Sequence, residues 1–268
     1  MTYDGDWRET FRPDIPSAAR IYDYLLGGKD NYPADRAVGE SMIAQLPNVR
    51  LAVKWNRAFL RRAVRYLIGE AGIRQIIDIG AGLPSAGNTH EIALDASPAA
   101  KVVYVDHDPV VLAHARSMLH GVPNTAIIRH DLLAPDEILA DPVLRGLIDF
   151  DQPVAFLFLS ILHFVSDEAD PAGLIGRLLD PFPAGSHVAI SHATPDTVPE
   201  VNDVERVFDE ATEQAHVRSR AAIGKLVTGM EMIDPGLAWP PEWRPDPSDE
   251  VPDNAAESYY CVVVARKP

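Results

Sequence analysis

Three acidic residues stand at or near the ends of three apolar runs. Asp78 lies in Gln75-Ile76-Ile77-Asp78-Ile79, which leads straight into Gly80-Ala81-Gly82. Asp106 closes Val102-Val103-Tyr104-Val105, and His130-Asp131 follows Thr125-Ala126-Ile127-Ile128. Short apolar runs without polar alternation predict strands buried on both faces. The ends of adjacent parallel strands line one crevice, so the acids are expected to face one ligand there. Carboxylates so placed accept hydrogen bonds from hydroxyl and amino groups. The glycines let the backbone turn sharply and approach the ligand. Two histidines follow later strands, His163 after Val154–Leu159 and His192 after His187–Ser191. Imidazole has the right pKa to take a proton from an oxygen or nitrogen nucleophile. Each feature also has a plainer reading. An aspartate after a strand often caps the next helix, as Asp108 is expected to do before Pro109. A lone histidine is often structural. Three acids in strand order are harder to read as caps alone.

The glycine pair narrows the ligand. A dinucleotide fingerprint wants a third glycine three residues after the second. Here that position is Ser85, preceded by Pro84, so a pyrophosphate cradle is not expected. Asp106 could accept from both ribose hydroxyls and Asp131 from the adenine amino group, which leaves the glycine turn for a methionine tail. A nicotinamide-dependent oxidoreductase remains as a weaker alternative. No Gly-x-Ser-x-Gly elbow or phosphate loop is present, and no cluster has convincing metal-ligand spacing.

The elements that must position these residues are legible in outline. Ser17 is expected to cap a helix to about Leu26, ended by Gly27-Gly28. A second helix follows Pro33. After Pro47, a third carries Leu51, Trp55, Phe59, Ala63 and Leu67 at helical spacing. It also carries a basic stripe, Lys54, Arg57, Arg61 and Arg65, whose plain reading is a solvated or salt-bridged face. From Gln75 onward strand and helix alternate: helices over Thr89–Ala96, Val110–Leu119, Pro171–Leu179 and Asn202–Val217, a sixth strand over Gly229–Ile233, and a last one over Tyr259–Ala265. The alternation predicts an α/β doubly wound, Rossmann-like, mostly parallel sheet of seven strands. The last two strands are joined by the Pro- and Asp-rich stretch from Met232 to Tyr259, without a helix, so the final strand is expected to pair antiparallel. The expected domains are an N-terminal helical lid over residues 1–70 and a ligand-binding domain over 71–268.

Composition excludes some partners. Lys plus Arg number 24 against 39 Asp plus Glu, a net charge of -15, which repels phosphate backbones and argues against nucleic acid. The lone Cys261 excludes an internal disulfide. No apolar run approaches membrane-spanning length, and the start does not read as a signal peptide. A soluble cytoplasmic protein is expected, with its oligomeric state left open.

In order, Asp-Ile-Gly-Ala-Gly, Tyr-Val-Asp-His-Asp, His-Asp-Leu and a hydrophobic fourth strand resemble class I S-adenosylmethionine-dependent methyltransferases. The segment from Ala19 to Tyr32, ARIYDYLLGGKDNY, is similar to the signature of an actinobacterial family of S-adenosylmethionine-binding proteins. Leu159–Phe164 and Asp234–Leu237 resemble the same family, although the segment Leu83–His90 departs from the commoner methyltransferase pattern. The resemblance implies that S-adenosyl-L-methionine lies against Gly80, Ala81 and Gly82, with Asp106, His107, Asp131 and Leu132 at the nucleoside and Ser160 near the fourth strand. It implies that Tyr22 covers the methionine end, that Arg20 pairs with the methionine carboxylate, and that Lys29 or Asn31 closes the lid. The acceptor, a small molecule, is expected over the fourth strand, beneath the N-terminal helices and the Trp239–Glu257 loop, with His163 the candidate base. A non-catalytic sensor of the cofactor or its demethylated product is the alternative.

Overall fold

The computed structural model describes residues 12–85, 87–196, 198–202, 208 and 211–268. Seven strands form one sheet: β1 Gln75–Ile79, β2 Lys101–Asp106, β3 Thr125–Arg129, β4 Ala155–Leu159, β5 His187–Ala193, β6 Glu231–Met232 and β7 Tyr260–Arg266. Their order is β3-β2-β1-β4-β5-β7-β6. The first five pair in parallel, and β7 runs antiparallel between β5 and β6. The predicted fold and antiparallel last strand are therefore present. The order reverses at β1, which is flanked by β2 and β4, and a crevice opens at the carboxyl ends of these strands.

Side-chain alternation along the strands feeds two cores. On one face Ile77, Ile79, Val103, Val105, Phe156 and Phe158 pack against helices that follow β3 and β4. These are α6 Pro135–Ala140, α7 Pro142–Leu147 and α8 Pro171–Leu179. On the other face Ile76, Val102, Tyr104 and Leu157 meet Phe59, Leu60, Ala63, Val64 and Leu67. Those residues belong to α3, Val49–Gly69, whose buried positions recur at helical spacing. Truncating a side chain like Phe59, fully buried here, costs about 3–5 kcal/mol. The third N-terminal helix is thus part of the sheet's own cover.

Two shorter helices precede it, α1 Ala18–Leu26 and α2 Pro33–Gln45. As predicted, Gly27 ends α1 in the left-handed region at φ 84°. Gly28 is needed for a different reason: a Cβ there would lie 1.9 Å from the Asp23 carboxylate. That carboxylate accepts from Asp30 N and Asn31 Nδ2 and so folds the turn back on the helix. The remaining α-helices among the described residues are α4 Thr89–Ala96, α5 Pro109–Met118 and α9 Arg220–Lys225.

Four expectations need correction. Helices α6, α7 and α9 were not predicted; each has six residues, too few for a visible helical period. The sixth strand is only Glu231–Met232. The helix expected over 202–217 lies partly outside the described residues, but 211–217 is irregular. There Thr212 N donates to Pro16 O and His216 N to His163 O, so these amides serve tertiary contacts instead of a helix. The Trp239–Glu257 loop does not cover the crevice. It packs on the flank of α3, where buried Arg62 donates to Trp243 O, Pro240 O and Asp249. Trp243 inserts edge-on against Phe59 and Tyr66.

Candidate functional site

The site begins with the turn after β1. Gly80 N and Ala81 N both donate back to Val105 O, at 2.9 and 3.3 Å, so the turn starts as an extension of the β1–β2 ladder. Gly80 and Gly82 adopt φ of 69° and 63°, the region glycine enters without a Cβ clash. A Cβ on Gly80 would lie 2.6 Å from Ile161, so this glycine lets β1 and the chain after β4 approach. A Cβ on Gly82 would meet no protein atom within 4 Å; it would project into open space.

Asp106 sits directly beside this turn. One oxygen accepts from Gly82 N and the other from Asp108 N, each at 2.9 Å. Burial raises its pKa, and the two backbone bonds oppose that shift. Asp108 caps α5 by accepting from Val110 N, as expected. Asp78 lies deeper. Burial pushes its pKa up to about 6, against the pull of Thr89, whose hydroxyl donates to it at 2.6 Å. The N-terminus of α4, which follows the glycine segment, is closed by its own residues. Asn88 accepts from Ser85 N, and Glu91 accepts from Gly87 N and Asn88 N. A carboxylate already occupies the place that a phosphate would take.

On the β4 side the chain turns through Ser160, a non-glycine residue at φ 56°. Such strain clusters at functional sites. Ser160 Oγ accepts from Asn56 Nδ2 at 2.7 Å, and the same amide donates to Tyr22 OH at 3.0 Å. Tyr22 OH in turn donates to Val53 O, so the tyrosine is clamped between α1 and α3. Burial raises the pKa of Tyr22 and of neighbouring Tyr260; both stay protonated.

The two histidines separate here. His192 is fully buried, its Nδ1 against Ala193 O and its Nε2 accepting from Arg218 Nη1 at 2.9 Å. Burial lowers its pKa to about 4, which leaves a fixed neutral ring and no route to a substrate. His163 lines the crevice, and burial holds its pKa well below the ordinary value, so it is neutral.

The crevice brings together most of the residues expected to meet a ligand. Tyr22, Gly80, Ala81, Gly82, Asp106, His107, Leu132, Ser160 and His163 all line it. Arg20, Asn31 and Asp131 do not. Arg20 is buried in an ion pair with Asp35, and it also donates to Arg12 O and Ile15 O. Its guanidinium locks α1 to α2. Asn31 donates to Asp23 and Gly28 O, which shapes the turn between those helices. Lys29 is exposed. Asp131 turns outward and accepts from Leu133 N, while its neighbours His130 and Leu132 face the crevice.

Sequence reasoning missed Asn56, Arg57 and Glu213. Arg57 stood in the basic stripe but was read with its neighbours. Nothing in the sequence marks Asn56. Glu213 fell in a stretch expected to be helical. It stands 3.5 Å from His107 and accepts from Ala18 N, so it bridges the end of β2 and the start of α1. This pairing raises His107 to a pKa of about 9.

A nucleoside carrying an amino-acid tail fits these features. Asp106 offers a carboxylate at the β2 end, the Gly82 position leaves space for close approach, and the capped α4 disfavours a diphosphate. Among the described residues, no group of three His, Cys, Asp or Glu side chains is placed to hold a metal ion. No helix among them is long and apolar enough to cross a membrane.

Comparison with known proteins agrees with this geometry. A family model described as S-adenosyl methyltransferase matches residues 7–268. The crystal structure of a DUF574 family protein from Streptomyces avermitilis MA-4680 is 40% identical, with a TM-score of 0.92 over 96% of this chain and 100% of that one. A protein from Thermobifida fusca YX, provisionally assigned as a methyltransferase, is 36% identical, with a TM-score of 0.89 over 95% and 96%. Human N-acetylserotonin methyltransferase, solved with S-adenosylmethionine, shares the fold at 14% identity and a TM-score of 0.51, over 98% of this chain and 62% of that one. A comparison with curated proteins finds no significant match. With a glycine turn, a buried acid at the end of β2 and a family match spanning nearly its whole length, the chain belongs to the S-adenosyl methyltransferase family, enzymes whose cofactor is S-adenosylmethionine.

Proposed function

We propose that the acceptor is a small, uncharged molecule with an O–H or N–H group, methylated at the β4 end of the crevice. One observation carries this reading: the crevice is graded in charge. Asp106, His107, Asp108 and Glu213 lie toward the β2 end. The wall made by α1–α3 and the chain after β4 and β5 is mostly apolar, with Ile21, Leu25, Val53, Phe164, Val217 and Tyr260; Asp23, Asn56 and Arg57 are its polar members. In that wall His163 is a neutral imidazole, able to accept a proton from the acceptor atom. S-adenosylmethionine, when bound, supplies a methyl group already activated by its sulfonium, so alignment contributes as much as the base. Asp106 would hold the ribose hydroxyls, with His107 and Leu132 beside the base. Tyr22, held by Asn56 and Val53 O, would wall off the methionine end, and α1 with residues 211–217 would form the cover that excludes water. The single buried cysteine and acidic composition suit a cytoplasmic enzyme.

The test is transfer of radiolabelled methyl from S-adenosylmethionine to a panel that pairs neutral phenols and alcohols with carboxylate and ammonium analogues of the same skeletons. Labelling confined to neutral members is expected. Preferential labelling of charged members would overturn the acceptor class. Binding of the cofactor without transfer to any member would favour a sensor.

A further inference from the structure

The basic stripe on α3 does not act as a unit. Arg61 pairs with Asp246 and Asp249 at 3.3 and 3.2 Å, and Arg65 with Asp246 at 3.1 Å. Lys54 is exposed. Those residues form the solvated, salt-bridged face that the stripe predicts. Arg57 differs. It is half-buried, it lines the crevice, and among the described residues it is the only lysine or arginine to do so. Its Nη2 donates to Gly87 O at 2.7 Å, which fastens the guanidinium to the far end of the glycine segment. Its positive charge opposes the burial that raises the pKa of Asp78 and of Tyr22. It therefore stands beside the glycine segment that follows β1.

This placement matters because the tail carries a carboxylate. A carboxylate in a crevice whose other charges include Asp78, Asp106 and Asp108 needs a cation nearby to offset desolvation and repulsion. Arg20, the sequence candidate, is committed to Asp35 and lies outside the crevice. An arginine fork presents five N–H donors, so one side chain can hold a turn carbonyl and a carboxylate together. Resting on the cofactor reading above, we propose that Arg57 anchors the α-carboxylate of the cofactor's methionine end. The positioning role that the resemblance implies for Arg20 passes to a residue 37 positions later, on the helix that also covers the sheet.

The experiment is calorimetry on the full chain with three probes. S-adenosylhomocysteine carries carboxylate and ammonium, decarboxylated S-adenosylhomocysteine keeps only the ammonium, and 5′-methylthioadenosine has neither. In the wild type, S-adenosylhomocysteine should bind at least about 10-fold more tightly than 5′-methylthioadenosine, the scale of charge-assisted hydrogen bonds. Arg57→Gln should weaken S-adenosylhomocysteine by about 10- to 100-fold and leave the other two within about twofold. Arg57→Lys, which keeps the charge but not the fork, should fall between. If Arg57→Gln weakens all three probes alike, Arg57 only shapes the turn and the proposal fails. It fails also if no probe is affected, or if the wild type does not prefer the probe with the carboxylate. A wild type that binds none of the three would instead remove the cofactor reading itself. Thermal unfolding of each variant guards against misfolding, and the wild-type comparison among probes stands without any variant.

Discussion

The bridge between His107 and Glu213 can be tested quantitatively. One Glu213 oxygen stands 3.5 Å from His107 Nε2, and the other accepts from Ala18 N and from Thr212 Oγ1. One carboxylate thus joins the end of β2, the first turn of α1 and the irregular 211–217 segment. Glu213→Gln keeps an acceptor for Ala18 N but removes the charge. The pairing holds His107 at a pKa of about 9, against an ordinary 6.5. Because 53% of the His107 side chain is exposed, water screens the pair. Solvent screening brings an exposed pair down to about 1 kcal/mol or less.

The sign follows from linkage. A histidine whose pKa is raised by folding contributes its full stabilisation below its unfolded value, near 6.5. The contribution is lost as pH rises through about 9. The wild type should therefore melt about 2–4 °C above Glu213→Gln at about pH 6.5, and the gap should close by about pH 10. Proton NMR titration of the His107 ring should give an apparent pKa well above the ordinary value in the wild type, falling toward 6.5 in the variant. A wild-type His107 that titrates near 6.5, or a melting gap that does not change with pH, would refute the bridge.

Further outcomes follow from the same geometry. Arg20→Met leaves the Asp35 carboxylate buried without its cation and should cost about 3–5 kcal/mol in urea unfolding, with part regained in Arg20→Met/Asp35→Leu; a cost below about 1 kcal/mol would mean that the α1–α2 lock is not real. Gly82→Ala should destabilise the fold by only about 1–2 kcal/mol from its left-handed backbone, yet weaken S-adenosylhomocysteine disproportionately, since the new Cβ points into the crevice; calorimetry beside thermal unfolding separates the two effects. His163→Gln should reduce methyl transfer by about 10²–10⁴-fold without changing cofactor affinity. Because burial keeps His163 neutral well below pH 6.5, the wild-type rate should not fall as pH drops through that value, and a loss centred there would assign the base elsewhere.

Legibility in the sequence tracks local physics. The run Gln75–Ile79 and the glycines after it fix strand, turn and neighbour at short range, and Asp106 falls beside Gly82 because β1 and β2 pair in register, Ile79 with Val105. The same logic misplaces Asp131, since one residue of rotation at a strand end decides whether a side chain enters the crevice or caps the next turn. Arg20 was misread because its partner, Asp35, lies on another helix, and no periodicity reports an ion pair between helices. The 211–217 part of the helix expected over 202–217 escaped for a related reason. Its composition permits a helix, but the amides of Thr212 and His216 are taken by Pro16 O and His163 O, contacts that exist only once the lobe has closed on the sheet.

The helix α3 shows how one element serves two ends. Phe59, Leu60, Ala63, Val64 and Leu67 fill the sheet core, while Asn56 and Arg57, one turn earlier, line the crevice. Core packing therefore sets the height of the polar pair above the strand ends. Any shift of α3 would move Asn56, and with it Tyr22 and Ser160, which share its amide. The apolar wall beside that network is also what the proposed chemistry asks for. Positive charge is dispersed when a methyl group leaves a sulfonium for a neutral acceptor, and a water-poor, weakly polar site does not stabilise the concentrated charge of the starting state as bulk water would. On the proposed reading, the acids gathered at the β2 end and the neutral histidine at the β4 end are two parts of one arrangement: charge where the cofactor would be held, less of it where the methyl group would move.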